Sequence, residues 1–209
     1  MKLKKIEKEI KFRNTNKLKN YNSLINKITL KLDLLKKNNE VDKCKKILQF
    51  IRQDKNALED LKKNFHTLRV SYYCLNFTNS KKNLDIFKLA LVHNVFENDT
   101  NIRSLKKIID IKTYKLAKTL QVNRKKQWDA KYIKNYYKNL NLSHKNAKIV
   151  KCIDKFDNLF NLFKNPKKKI KKKYLKEIND FILPLVEQFL PNIFNYYKRL
   201  IKYNTNLIR

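Results

Sequence analysis

Three residues able to do acid–base or metal chemistry sit inside apolar helical patterns in this chain: His66, His93 and Asp154. His66 lies in Phe65-His66-Thr67-Leu68-Arg69-Val70, whose apolar neighbours bury the stem of the imidazole. His93 ends the apolar run Ala90-Leu91-Val92 and is followed by Asn94. An imidazole at the end of an apolar face needs a partner, which taken alone is more often a neighbouring backbone carbonyl than a bound ligand. Asp154 is embedded in Ile149-Val150-Lys151-Cys152-Ile153-Asp154-Lys155-Phe156-Asp157-Asn158-Leu159. Residues four apart share a helix face, so Asp154 and Asn158 project together. A carboxylate in such surroundings is costly unless it is paired or coordinates a metal.

The elements that must position these groups are helices. Glycine is absent and only three prolines occur, so turn chemistry for hairpins is lacking, while apolar residues recur at intervals of three and four, as in Leu84, Phe87, Leu91 and Val95. The pattern predicts an all-α bundle, with helices at about 17–38, 41–53, 56–77, 83–96, 101–110, 113–120, 127–140, 144–164, 168–190 and 191–204. Asn-Asp-Thr-Asn at 98–101 reads as a helix stop and restart, because these side chains cap free amides. Pro166 reads as the stop of the long helix carrying Asp154. Residues 1–47, dense in Lys and Asn, read as a basic helical N-terminal extension to a helical domain over 48–209. His144, among polar residues, reads as an exposed helix-start residue. Trp128 and the tyrosine pairs at 72–73, 136–137 and 196–197 stand at helical spacing and read as core. No glycine-rich phosphate loop, dinucleotide fingerprint or nucleophile elbow can be formed without glycine.

Taken in order, the clusters resemble a known family. His66-Thr-Leu-Arg-Val-Ser71, Leu91-Val-His93-Asn-Val-Phe-Glu97-Asn-Asp-Thr100 and Val150-Lys-Cys-Ile-Asp154-Lys-Phe-Asp-Asn158-Leu159 are similar in order and spacing to the HD-domain metal-dependent phosphohydrolases, in particular the RelA/SpoT-type alarmone hydrolase branch. Tyr136-Tyr137 and Tyr174-Leu-Lys-Glu177, with Pro184-Leu185 after it, extend the resemblance over roughly residues 48–200. It implies an HD-domain helical bundle in which His66, His93 and Asp154 ligate a divalent cation, typically Mn2+, with Asn94 where the family has a ligand aspartate. It also implies that Glu97 is the catalytic acid, with Asn98 where an aspartate assists it. Asn158 stands at the position that contacts the nucleotide sugar, and Arg69 and Lys151 beside these motifs are candidate substrate-binding residues. The implied reaction is release of phosphate or pyrophosphate from a nucleotide such as guanosine tetraphosphate. Asn94 keeps an oxygen in place of the carboxylate but lacks its charge, so a weaker metal site is expected, and the Asn at 98 removes a second charge.

Composition points to alternatives. The chain of 209 residues carries 51 Lys+Arg against 18 Asp+Glu, a formal net charge of +33, which predicts nonspecific, salt-sensitive attraction to polyanions. The cations are 44 Lys and only seven Arg, a bias expected of A+T-rich codon usage. A catalytically inactive HD protein that binds nucleotide, or a basic all-α nucleic-acid-binding or ribosome-associated protein, are therefore the competing expectations. The basic run Lys167-Lys168-Lys169-Ile170-Lys171-Lys172-Lys173 reads as a solvated turn able to draw phosphates toward a site. Three widely spaced cysteines, Cys44, Cys74 and Cys152, fit free thiols in a reducing compartment such as the cytoplasm. The most apolar stretch, 181–194, is broken by Pro184, Glu187 and Pro191, and no membrane span or targeting segment is expected.

Overall fold

Apolar spacing of three and four with no glycine to interrupt it dictates helices, and helices are what the chain forms. A computed structural model describes residues 3–14, 17–35, 39–52, 57–78, 84–97 and 102–208, and no strand occurs among them. In chain order they are α1 (Leu3–Asn14), α2 (Lys17–Asp33), α3 (Asn39–Arg52), α4 (Ala57–Phe77), α5 (Leu84–Val92), α6 (Ile102–Lys106), α7 (Ile111–Leu120), α8 (Ala130–Leu142), α9 (Lys145–Leu159), α10 (Lys168–Glu177), α11 (Leu183–Phe189) and α12 (Pro191–Asn206). The expected break at 98–101 lies outside the described residues.

The helix carrying Asp154 ends at Leu159 rather than at 164, and a separate 3-10 turn at Leu162–Lys164 precedes Pro166; three further departures from the predicted helices have local causes. The helix carrying Leu91 stops at Val92, not 96, because the His93 Nδ1–H takes the Ala90 carbonyl at 2.6 Å, an acceptor that the next helical turn would use. The chain then makes a 3-10 turn at Val95–Glu97. The expected continuous helix over 168–190 is divided by a π-helical segment, Ile178–Ile182. Pro184 has no N–H to return to the preceding turn, and the Leu183 N–H reaches back five residues to the Ile178 carbonyl. The third is α8, which starts at Ala130 rather than 127, where the Asp129 carboxylate accepts from the Tyr132 N–H at 2.6 Å.

Helix α9 is the axis of the bundle, touching α4, α5, α7, α8, α11 and α12. Ile149, Val150, Cys152, Ile153, Phe156 and Leu159 are buried on it, and so are Lys151, Asp154, Lys155 and Asp157. A helix buried all round normally carries apolar residues on every face. Four charged residues on this one require partners from the surrounding helices, and those partners build the site. Helix α2 packs on α4, α3 on α5, and α1 on α2 and α12. Lys88 of α5 is buried and joins three elements through Glu40 of α3, Asp85, and Asp110, the N-cap of α7. No described helix is long and apolar enough to cross a membrane.

The three cysteines are free and buried. Burial pushes the Cys44 thiol up to about 12, and the same cause raises Cys74 and Cys152 further. The thiolate is the reactive species. A chromogenic disulfide reagent at pH 8 is therefore expected to leave all three thiols unreacted in the folded protein and to titrate three in denaturant. Stoichiometric reaction of any one of them in the folded protein would contradict this packing.

Candidate metal centre

Helices α4, α5 and α9 pack against one another, and this brings together three residues far apart in the chain. His66 projects from α4, His93 follows the last residue of α5, and Asp154 faces them from α9. One ligand atom from each lies within 4.8 Å of the other two. The His66 Nε2 is 3.2 Å from Asp154 Oδ1 and 3.4 Å from His93 Nε2. Metal–nitrogen and metal–oxygen bonds of about 2.0–2.2 Å place neighbouring ligand atoms roughly 3 Å apart, so the cluster has the dimensions of half a coordination shell. A His-His-Asp group of this kind could hold a metal ion.

The hydrogen bonds behind the cluster fit that use. A carbonyl can only accept, so His93 Nδ1 carries the proton donated to Ala90 O at 2.6 Å. His66 Nδ1 donates in the same way to Asp157 Oδ2 at 2.7 Å. Both imidazoles therefore turn Nε2 toward Asp154, the arrangement by which carbonyl and carboxylate partners orient metal-binding histidines.

The electrostatics of the cluster follow from its burial and from these partners. Burial would lower the His66 pKa, but hydrogen bonds to Asp154 and Asp157 hold it up at about 9. Burial lowers His93 to about 4, leaving it neutral near pH 7. Burial would raise Asp154, yet the Lys151 ammonium and the His66 imidazole hold it well below the usual carboxylate range. Lys151 Nζ lies 3.1 Å from Asp154 Oδ2, and the Asn158 amide donates to Asp154 Oδ1 at 2.7 Å. An entering cation would take the place of the Nε2 proton of His66.

Asp157 is the functional residue that the sequence motifs passed over. Its carboxylate is fully buried and accepts from three basic groups: His66 Nδ1, Arg13 Nη1 at 2.8 Å, and Arg69 through Nε at 2.9 Å and Nη2 at 2.9 Å. Burial would raise its pKa, but Arg69, Arg13 and His66 hold it well below the usual range. Arg69, expected at the substrate, is thus turned to Asp157, with its guanidinium 4.7 Å from the centre of the Phe65 ring. Arg13 comes from α1, lies 4.0 Å over Phe160, and also donates to Tyr73. The available signal was a second carboxylate three residues after Asp154, close to the same helix face and flanked by Ile153, Phe156 and Leu159.

In front of the cluster opens a cleft of about 320 Å³. His66, Asp154, Asn94, Lys151 and Asn158 line it, so most of the expected site residues share one cavity, together with Arg124 and Lys155. Lys155 Nζ pairs with Glu177 at 2.8 Å, and the Tyr137 hydroxyl donates to the same Glu177 oxygen at 2.6 Å. Burial lowers the pKa of the Lys155 ammonium, with Glu177 opposing it. Glu97 closes the 3-10 turn after His93, and Asn98 lies outside the described residues. Of the aromatic residues read as core, Tyr136, Tyr137 and Tyr197 are buried, whereas Trp128 is half-buried on the cleft wall. It lies in the loop before α8, where apolar spacing carries no packing information. His144 is exposed, and its ring nitrogen accepts from the Asn146 N–H at the start of α9. No protein-family model matches the chain, and no curated protein matches it.

Proposed function

We propose that the protein is an HD-type, divalent-cation-dependent phosphohydrolase that removes a phosphate or pyrophosphate group from a nucleotide, with guanosine tetraphosphate as the model substrate. The observation that carries this reading is the His66–His93–Asp154 cluster, with both Nδ1 atoms committed elsewhere and both Nε2 atoms turned inward. The cation, with Mn2+ the expected ion, would polarise the phosphoryl group and make a nearby water more acidic. Lys151 and Lys155 sit on the cleft wall to neutralise the substrate phosphate. Asn158 is assigned to the sugar, Glu97 to the proton of the attacking water, and Asn98 to assisting Glu97, as in the family that these motifs resemble. Asn94 offers the cation a neutral oxygen.

One observation favours a second reading, an anion-binding protein that does not turn over. The cleft is lined by Lys151, Lys155 and Arg124 against two carboxylates, Asp154 and Glu177, and Asn94 adds no opposing charge. The two are separated by measuring Mn2+ binding calorimetrically and assaying a nucleotide panel for released phosphate and pyrophosphate. Hydrolysis is expected with Mn2+ and is expected to be lost in His66→Ala and His93→Ala. Each is also expected to weaken Mn2+ binding beyond the roughly 10–100-fold that an outer partner can cost. Nucleotide binding without Mn2+ binding or turnover, in wild type and in Asn94→Asp alike, would establish the second reading instead.

A further inference from the structure

The cleft is not blind. Past Val122 and Arg124 it adjoins a depression lined by Lys118, Gln121, Asn123 and Tyr132. Past Gln127, Trp128 and Ile133 it adjoins a groove lined by Ala130, Lys134, Lys173 and Phe181. Arg124 and Trp128 therefore stand at two thresholds of one continuous track, of which the ion cluster occupies the inner part.

The loop that forms both thresholds is braced. The Asn123 N–H donates to the Tyr132 hydroxyl at 2.7 Å, the Lys125 N–H to Asn123 Oδ1 at 3.0 Å, and Lys173 Nζ to the Trp128 carbonyl at 3.3 Å. No Asp or Glu occurs between Ile111 and Trp128, or between Asn158 and Lys176, while both stretches are rich in lysine; the depression past Arg124 is accordingly lined by cations and neutral groups, whereas the groove past Trp128 sets Lys134, Lys173 and Lys176 against Asp129, Glu177 and Asp180. Trp128 and Tyr132 are each half-exposed beside these cations. Cations at Lys118 and Arg124 beside the accessible faces of Tyr132 and Trp128 suit unpaired nucleic acid, because the cations follow the phosphates and every base has a face to stack. A free mononucleotide would use the inner cleft and leave the Lys118–Tyr132 and Lys134–Phe181 grooves without a role.

We propose that the cleft takes the phosphate-bearing end of a single-stranded oligonucleotide, its terminal phosphate at the His66–His93–Asp154 cluster and the adjoining nucleotides along the Arg124 and Trp128 thresholds. This rests on the phosphohydrolase reading for its chemical step and on the track for its binding. In that step a water oxygen bonds to the terminal phosphorus, the phosphorus–oxygen bond to the end sugar breaks, and the strand departs as a hydroxyl with a proton from the water. The products are inorganic phosphate and a strand one phosphate shorter.

Trp128 is the sole tryptophan, so its fluorescence reads occupancy of the track directly. The protein is titrated at roughly 0.15 M salt, where diffuse surface attraction is largely screened. The probes are oligonucleotides of about eight residues bearing a 5′- or a 3′-phosphate, a mononucleotide, and inorganic polyphosphate of matched charge. The expected result is quenching by one of the oligonucleotides at an affinity at least tenfold above both smaller probes. Arg124→Glu is expected to weaken it at least tenfold, and Lys27→Glu, on the exposed side of α2, less than twofold. A mononucleotide binding within twofold of both oligonucleotides overturns the proposal. So does polyphosphate binding equally well with Lys27→Glu as costly as Arg124→Glu, which is the signature of diffuse charge. Terminal phosphate release is then counted with Mn2+. Strand binding without any hydrolysis or Mn2+ binding removes the enzymatic reading and leaves the track. Hydrolysis of mononucleotides by a protein that does not bind the oligonucleotides removes the track and leaves the enzyme.

Discussion

Asp157→Ala is expected to lower the stability of the metal-free protein by about 3–5 kcal/mol, the cost of breaking a buried ion pair from one side. The carboxylate is completely enclosed and is the common acceptor of Arg13, Arg69 and His66. Without it, two guanidinium groups face each other across the space that it filled, and Arg13 is itself almost fully buried. Against a typical total of about 5–15 kcal/mol, the loss is a large fraction. It corresponds to a fall in melting temperature of about 10 °C for a chain of this size. Because His66 also loses the acceptor that sets its orientation, Mn2+ affinity is expected to fall roughly 10–100-fold. Asp157→Asn keeps an acceptor oxygen and should lie between wild type and Ala in both measurements. Urea unfolding of Asp157→Ala within 1 kcal/mol of wild type would mean that the buried cluster does not exist as described.

Asn94→Asp is expected to strengthen Mn2+ binding by at least tenfold, on the order of the change that even an outer partner of a metal ligand produces. Asn94 lines the cleft beside His66 and Asp154, and the substitution exchanges an amide for a carboxylate of nearly the same shape. Two effects oppose. The new charge repels Asp154, but Lys151, Lys155 and Arg124 line the same cavity, so the local field is already positive and the added carboxylate is welcome there even before an ion arrives. A hard cation gains a further anionic oxygen, the donor type that suits Mn2+. Calorimetric titration of the variant and wild type side by side decides the matter. Equal affinities would show that residue 94 is outside coordination range, and the site would then be a three-ligand cluster without a fourth position.

The sequence made the helices and the ion cluster legible for a local reason. Leu84, Phe87 and Leu91 mark one face of α5, and Asp154 announces itself as a carboxylate among Val150, Ile153 and Phe156; each signal is complete within a few turns. What escaped was whatever depends on distant partners. Arg13 and Asp157 are separated by 144 positions and Arg69 and Asp157 by 88, so no spacing rule relates them, and α1 lies in the helical extension expected over 1–47 without bounds of its own. Lys88 was hidden likewise, since its carboxylates come from α3 and the cap of α7 as well as from its own helix. The π-helical segment was half legible: Pro184 was visible, but whether a proline ends, kinks or widens a helix depends on which carbonyls its neighbours can still reach.

The reach of Arg13 across the chain also orders events during synthesis. Helix α1 is translated long before α9, and at roughly 5–20 residues per second the wait for residue 157 lasts from several seconds to about half a minute. Early in that interval the guanidinium has Glu9, one turn back, as its local partner, and Tyr73 follows before Asp157 is made. The two histidines are likewise made before either carboxylate that they face. A nascent chain stopped short of α9 therefore contains both imidazoles and neither Asp154 nor Asp157, and any capacity to capture a cation arrives late and all at once, when α9 emerges and the N-terminal helix closes behind it.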